Sequence, residues 1–386
     1  MHHEAAHLNR RILLLVLALL VLAGCAIQRG RDGHIDRQSR PYKLVGYVTP
    51  AKDFPRLDAE KLSAINFAFA HIDVNGNVAL KQAEDTELLA QLVALKARNP
   101  ALKILLSIGG WGLDGFSDAA LSEASRARFA DSAARVLARH RLDGVDIDWE
   151  YPTLPGPGIV HRTEDKRNFT LLLQAVRTRF DALAREQGRA AGDPYLITAA
   201  LADREFVAGI ELDRVGRVLD WINLMTYDFH GSLTATTGHH SALARSATSA
   251  PDERSVEAAV KQFLDAGVAA RKLVVGVPFY GKGFIGAQPA NHGLDQPFTG
   301  RVPMYAWSQL AGMIDRNGYV RYWDEQAKEP YLWNAATREF VSYDDPQSLA
   351  LKAEYVRTNR LGGVMYWEQN NDPDGTLFNA LAHTLR

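Results

Sequence analysis

From residue 43 onward, short apolar or β-branched runs return at intervals along the chain. They span Leu44 to Val48, Ala64 to Ala70, Lys103 to Ile108, Gly144 to Trp149, Tyr195 to Leu201, Trp221 to Tyr227, Leu273 to Phe279 and Gly363 to Trp367. Each has the length and residue preference of a strand. Between them lie helix-like stretches such as Glu84 to Arg98, Glu123 to His140, Thr163 to Glu186 and Pro251 to Ala269. Strand and helix alternating eight times predict parallel βα units and an α/β fold, the (β/α)8 TIM barrel, which takes about 250 residues. A doubly wound open sheet shares the alternation. No Gly-rich phosphate loop follows the first strand, and the polar and aromatic residues of interest fall at strand C-terminal ends, where barrels build their sites.

The seventh connection breaks the pattern. Lys282 to Asp345 holds about 64 residues, far more than a βα loop needs, and includes Tyr319-Val-Arg-Tyr-Trp323 and Tyr331-Leu-Trp333. This predicts a small α+β insertion domain over 282–345, between strands 7 and 8. The barrel then comprises 42–281 and 346–386. Trp307, Trp323 and Trp333 fall in the insertion, where core roles are expected.

The N-terminal end carries a separate signal. Arg10-Arg11 precede an apolar run from Ile12 to Ala23, about 12 residues, which suits a signal-peptide core and is short for a membrane span. Leu22-Ala23-Gly24-Cys25 resembles a bacterial lipobox, which implies removal of residues 1–24 and lipidation of Cys25. Cys25 is the single cysteine, so no intramolecular disulfide is possible. Residues 25–41 are polar and without apolar periodicity, and read as a flexible tether. A formal net charge of -1 gives no basic excess pointing to nucleic acid. The expected location is the cell envelope, with the lipid bilayer as a partner; Ala26 after the cysteine resembles the outer-membrane sorting signal of enteric bacteria.

Residues 143 to 151 read Asp-Gly-Val-Asp-Ile-Asp-Trp-Glu-Tyr. On a strand, the period of two puts Asp146, Asp148 and Glu150 on one face. Carboxylates that close repel, so at least one holds a proton near neutral pH. A protonated carboxyl beside ionised ones is what acid catalysis needs. Hard cations also take carboxylate oxygens, but the ligand spacing of a calcium loop is missing.

Asp143 to Pro152 resembles the DxxDxDxE signature of family 18 glycoside hydrolases, the chitinases. Ser107-Ile-Gly109-Gly110-Trp111 resembles their third-strand SxGG motif, and Met225-Thr-Tyr227-Asp228 their sixth-strand MxYD motif. Tyr280 resembles the seventh-strand aromatic, and Met365-Tyr-Trp367-Glu368 the end of the eighth strand. The resemblance implies hydrolysis of β-1,4-linked N-acetylglucosamine with retention, the substrate's 2-acetamido oxygen acting as nucleophile. Chitin or its oligosaccharides would be the substrate, no cofactor would be needed, and the chain would act as a monomer.

Within that resemblance Glu150 is the acid, Asp148 orients the acetamide and stabilises the oxazolinium, and Asp146 shares a proton with Asp148. Tyr227 donates to the acetamide oxygen. Asp228 accepts from a sugar hydroxyl or from the acid's surroundings, Trp367 floors the cleavage point, and Met225 packs beneath the acetamide methyl. Trp111, Gly110, Tyr151, Tyr280, Phe69 and Tyr47 are candidates for adjacent subsites, with core packing the plainer reading of Phe69 and Tyr47. Asp143, out of register, is read as structural. His230, His239, His240 and His292 lack metal-ligand spacing, so no metal is expected. Two other functions stay open. One is an N-acetylglucosaminidase acting on peptidoglycan or chitobiose cores, and the other is a non-catalytic chitin-binding lectin.

Overall fold

The computed structural model describes residues 42–51 and 54–386. The signal segment, Cys25 and the tether lie outside the described residues. The strands, in chain order, are β1 (Lys43–Val48), β2 (Ala64–Ile72), β3 (Val78–Ala79), β4 (Lys103–Gly109), β5 (Gly144–Asp148), β6 (Leu196–Leu201), β7 (Trp221–Leu224) and β8 (Leu273–Pro278). After them come β9 (Tyr280–Ile285), β10 (Met304–Ala306), β11 (Tyr319–Asp324), β12 (Glu329–Asn334), β13 (Glu339–Ser342) and β14 (Gly363–Trp367). β1, β2, β4 to β8 and β14 are parallel neighbours, and β1 pairs with both β2 and β14, which closes the barrel.

Alternation along each strand sorts side chains into two layers. On β2, Ala64 and Ala68 point into the barrel, where they meet Val45, Tyr47, Leu105, Trp221, Val274 and Met365. Ile65 and Phe67 point outward, into the layer shared with the helices. β5 follows the same rule: Val145 and Ile147 pack outward with Leu172, Leu173 and Val176 of the helix Asp165–Glu186. Fully burying such a side chain contributes roughly 1.5–3 kcal/mol. A one-residue slip would expose that pair to the barrel interior and turn Asp146 and Asp148 outward, so packing fixes where the acids point.

The helices start where polar caps permit. The helix Glu123–His140 has the expected bounds, with Ser122 accepting from Ser125 N–H at 3.1 Å and left-handed Arg141 ending it. The stretch expected to be helical from Pro251 is helix only over Val256–Asp265, because Ser255 is the cap and accepts from Ala258 N–H at 3.2 Å.

The long connection carries a five-stranded antiparallel sheet in the order β10-β9-β13-β12-β11. It begins at Tyr280, two residues before the expected boundary, because only Phe279 stands between the end of β8 and the start of β9. One face joins the barrel core through Leu332, Val341 and Tyr343, with Trp307 and Leu310 beside them. The other builds its own cluster from Phe284, Leu294, Tyr331, Trp333 and Phe340. Trp307 and Trp333 are therefore core residues. Trp323 departs from that expectation: it is half-buried, with the Arg321 guanidinium 5.4 Å from its ring.

Candidate active site

Asp146 and Asp148 enter the barrel from β5, and Glu150 stands two residues further on, past the last ladder pair. Asp146 is fully buried and accepts four hydrogen bonds. Tyr47 Oη and Ser107 Oγ donate to Oδ2 at 2.6 and 2.8 Å, and Thr198 Oγ1 and Asn223 Nδ2 donate to Oδ1 at 2.5 and 3.0 Å. Ser107 and Thr198 are its register partners on the flanking strands, so the ladder itself delivers these hydroxyls. Trp221 Nε1–H donates to Asn223 Oδ1 at 3.1 Å, which orients the amide so that its N–H faces the acid. Burial pushes the proton affinity of Asp146 up and the four donors oppose it. The arrangement suits an ionised carboxylate, which only accepts.

Asp148 differs. It is buried, and its Oδ1 has no protein donor. Burial, then the charges of Glu150 and Asp146, raises its proton affinity well above the carboxylate range. Glu150 is half-buried at the barrel mouth, where burial, opposed by Tyr151 and assisted by Asp228, brings its pKa up to about 7. No hydrogen bond joins Asp146 to Asp148. The oxygens of Asp146 are taken by neutral donors, and Asp148 feels the charge of Glu150 and, after it, that of Asp146.

Tyr227 and Asp228 follow β7. Asp228 sits at φ 57°, a left-handed conformation that Asp tolerates. Its Oδ1 accepts from Tyr280 Oη at 2.6 Å and pairs with Lys282 Nζ at 2.7 Å, both on β9. Its side chain is half-exposed at the mouth; the loss of part of its water would raise its pKa, but His240 and Lys282 outweigh that and hold it below the usual carboxylate range. Tyr280 is buried and spends its hydroxyl on Asp228, so it backs the mouth and offers little surface to a ligand.

The aromatic candidates divide by depth. Trp367 is half-buried, stacked on Phe69 at 5.4 Å and tilted against Tyr47 at 5.4 Å. Tyr47 is buried beneath the mouth with its hydroxyl on Asp146, a support for the carboxylate. Trp111 is 60% exposed, its ring 6.3 Å from that of Tyr151. Gly110 sits at φ 97°, and a Cβ there would lie 2.8 Å from the Phe69 ring, so only glycine fits. Met225 is half-buried at the end of β7. The peptides Ala68–Phe69, Glu150–Tyr151 and Trp367–Glu368 are cis. Asp143 lies apart, accepting from Ile104 N–H and Lys96 Nζ at 2.8 Å each, a structural residue as expected.

Reading the sequence missed Thr198, Asn223, Lys282, Asp203 and Arg254. Asn223 could have been found, as a lone polar residue in step with Met225 and Tyr227. Arg254 pairs with Asp203, donates to Asp228 O at 3.2 Å and lies 5.7 Å from the Phe206 ring, which meets Tyr151 at 4.4 Å. The histidines are dispersed: His230 meets Glu253 at 3.1 Å, His239 meets Asp324 at 3.2 Å, and His292 stacks on Tyr322 at 4.1 Å. Among the described residues no group of three His, Cys, Asp or Glu side chains is arranged to hold a metal ion.

A parallel barrel with acids stacked at its C-terminal mouth, beside a tyrosine and a half-buried tryptophan, has the layout of a glycoside hydrolase. The family model of the glycosyl hydrolases family 18 matches residues 43–372, and the chain belongs to that family as a chitinase-type domain. Chitinase A1 of Niallia circulans is 43% identical over 312 residues, 76% of this chain and 44% of that protein. Chitotriosidase-1 of Mus musculus is 36% identical over 84% of this chain and 72% of its own length. A family 18 N-acetylglucosaminidase structure from Paenibacillus barengoltzii superposes with a TM-score of 0.83 at 40% identity, covering 89% of this chain and 99% of that one.

Proposed function

We propose that the protein is a chitinase, hydrolysing β-1,4 linkages between N-acetylglucosamine units with retention and with the substrate's acetamido group as nucleophile. The observation that carries this reading is the gradation among three carboxyls spaced two residues apart along β5 and just past its end. Asp146 is satisfied by four donors, Asp148 keeps a buried oxygen without a donor, and Glu150 retains a proton to about pH 7. Glu150 then protonates the glycosidic oxygen as the C–O bond breaks. The acetamide oxygen attacks the anomeric carbon and an oxazolinium forms. Asp148 accepts the acetamide N–H and offsets the positive charge, and Tyr227 donates to the acetamide oxygen. Water, deprotonated by the Glu150 carboxylate, opens the ring with net retention. Trp367 stacks beneath the sugar, Asp228 holds the surroundings of the acid, and Trp111 and Tyr151 offer ring faces beyond it.

A second reading is exo-acting N-acetylglucosaminidase, favoured by the Paenibacillus barengoltzii relative, nearly all of which this chain covers. Digestion of N-acetylglucosamine hexamers separates the two: a chitinase releases dimers and longer fragments, an exo-N-acetylglucosaminidase only monomers. NMR of the nascent anomer tests retention. A first product of inverted configuration, or no cleavage of any oligomer, overturns the proposal. A lectin is disfavoured by the presence of Glu150 beside Asp148 and Tyr227.

The envelope location belongs to the same proposal. Arg10-Arg11, the apolar run and Leu22-Ala23-Gly24-Cys25 support a lipid anchor at Cys25, from which residues 26–41 would tether the barrel. The insertion is proposed as one wall of the substrate groove.

A further inference from the structure

The loop after β7, which carries Tyr227 and Asp228, is stitched to the insertion. Thr237 N–H donates to Gln296 O at 2.8 Å, and His239 Nε2 lies 3.2 Å from Asp324 Oδ2. His240 N–H donates to Ser342 Oγ at 2.9 Å, and Ser241 Oγ donates to Glu329 Oε1 at 2.6 Å. Phe229 N–H closes the loop on His240 O at 3.0 Å. The backbone of His240 is therefore held from two sides.

Its side chain is not held by any hydrogen bond. The ring is fully buried and neither nitrogen has a hydrogen-bond partner, an uncommon state for an imidazole at that depth. Nδ1 lies 3.7 Å from Asp228 Oδ1, beyond hydrogen-bond reach and within reach of an ion pair. The groups around it are Asp228 in its own loop, Tyr280 with its ring at 5.3 Å, Lys282 beside Tyr280 on β9, and Asp344 ahead of the helix Pro346–Thr358. Glu329 and Lys352 follow one residue further on, through Ser241.

We infer that His240 is a positioning residue for Asp228. As a neutral ring it leaves the carboxylate to Tyr280 and Lys282, with its charge acting on Glu150. As a cation it draws Asp228 into an ion pair and takes that charge away from the acid. Burial lowers the proton affinity of His240 below the ordinary imidazole value while Asp228 pulls it up, so the ring is neutral at pH 7 and gains charge on acidification. The role rests on Glu150 being the acid; the coupling of His240 to Asp228 does not.

The coupling is tested first, by NMR titration of the His240 ring in the full chain and in Asp228→Asn. Loss of the carboxylate should lower the imidazole midpoint by about half a unit or more, because the partner of the cation is gone. Equal midpoints overturn the inference, whatever the substrate of the enzyme. The consequence for catalysis is read in His240→Phe, which keeps the ring contact and loses the nitrogens. The basic limb of kcat should stay near pH 7, the acid limb should move down by about half a unit, and KM should be unchanged. A uniform fall in kcat with both limbs in place would reduce His240 to packing. Should the Phe variant not fold, His240→Gln is measured against the same two limbs.

Discussion

Lys352 Nζ lies 2.6 Å from both carboxylate oxygens of Asp344 and 3.0 Å from Glu329 Oε2, and none of the three side chains is exposed. Burial and the neighbouring Asp344 raise the proton affinity of Glu329, and Lys352 opposes them. Lys352→Met should cost about 3–5 kcal/mol, since it strands buried acids without their cation. Glu329→Gln should cost less, because it removes one of two buried acids that share a single cation and leaves the other paired. Urea denaturation of both variants checks the order, and a Gln variant weaker than the Met variant would overturn it.

Glu150→Gln should leave the fold and oligosaccharide binding in place while turnover falls by about 10²–10⁴ or more, the usual contribution of a positioned acid. The readout is turnover on a chitotriose-type substrate beside a thermal melt. Near-normal activity in a folded variant removes Glu150 from the role.

The raised pKa of Glu150 sets the direction of the pH dependence. The acid form persists up to about pH 7, and kcat/KM should fall above that as the proton leaves. Asp228 is one of the charges that keep the proton in place, so Asp228→Asn should move the basic limb to lower pH. A limb that stays put, or moves upward, contradicts the assigned coupling.

Thr198→Val removes one of the four donors to Asp146 at nearly constant volume. Leaving a buried carboxylate oxygen short of a partner should cost about 1–3 kcal/mol. Activity should fall as well, because Asp148 then faces a neighbour with a higher proton affinity. Equilibrium unfolding and kcat are measured together, and an unchanged unfolding midpoint would mean that the 2.5 Å contact contributes nothing.

Cys25→Ser should abolish acylation and release the protein from the lipid-anchored fraction, while the purified region from Pro41 onward stays active. Each buried methylene of an acyl chain contributes about 0.8 kcal/mol, so several chains anchor far more firmly than one. Palmitate labelling with membrane fractionation decides it. An unlabelled wild-type protein would leave the segment as a secretion signal or a bare hydrophobic anchor.

The sequence made the acids legible because a period of two needs no tertiary information: Val145 and Ile147 had to be buried, so Asp146, Asp148 and Glu150 had to share the opposite side. The eight barrel strands were legible as short apolar or β-branched runs between helix-like stretches. Their ends were not. The run expected to continue to Tyr227 leaves the ladder at Leu224, and Thr226 Oγ1 turns to Gly276 O at 2.6 Å. The support of Asp228 was hidden because Lys282 and His240 meet it across connections whose path no local pattern specifies. His240 was weighed only as a metal ligand, and its place beside a carboxylate could not be seen from spacing.

A single residue, Phe279, separates β8 of the barrel from β9 of the insertion, and it is fully buried. Its N–H donates to Trp367 O at 2.7 Å, its carbonyl accepts from Trp307 N–H at 3.0 Å, and its ring stacks on Tyr366 at 4.4 Å. The return crossing runs through buried Tyr343 and Asp344, the latter clamped by Lys352. Hinge closure needs a few residues free to absorb backbone rotation, and neither crossing has one. Each crossing is therefore a packed joint, and swinging the insertion away from the barrel would have to break these buried contacts.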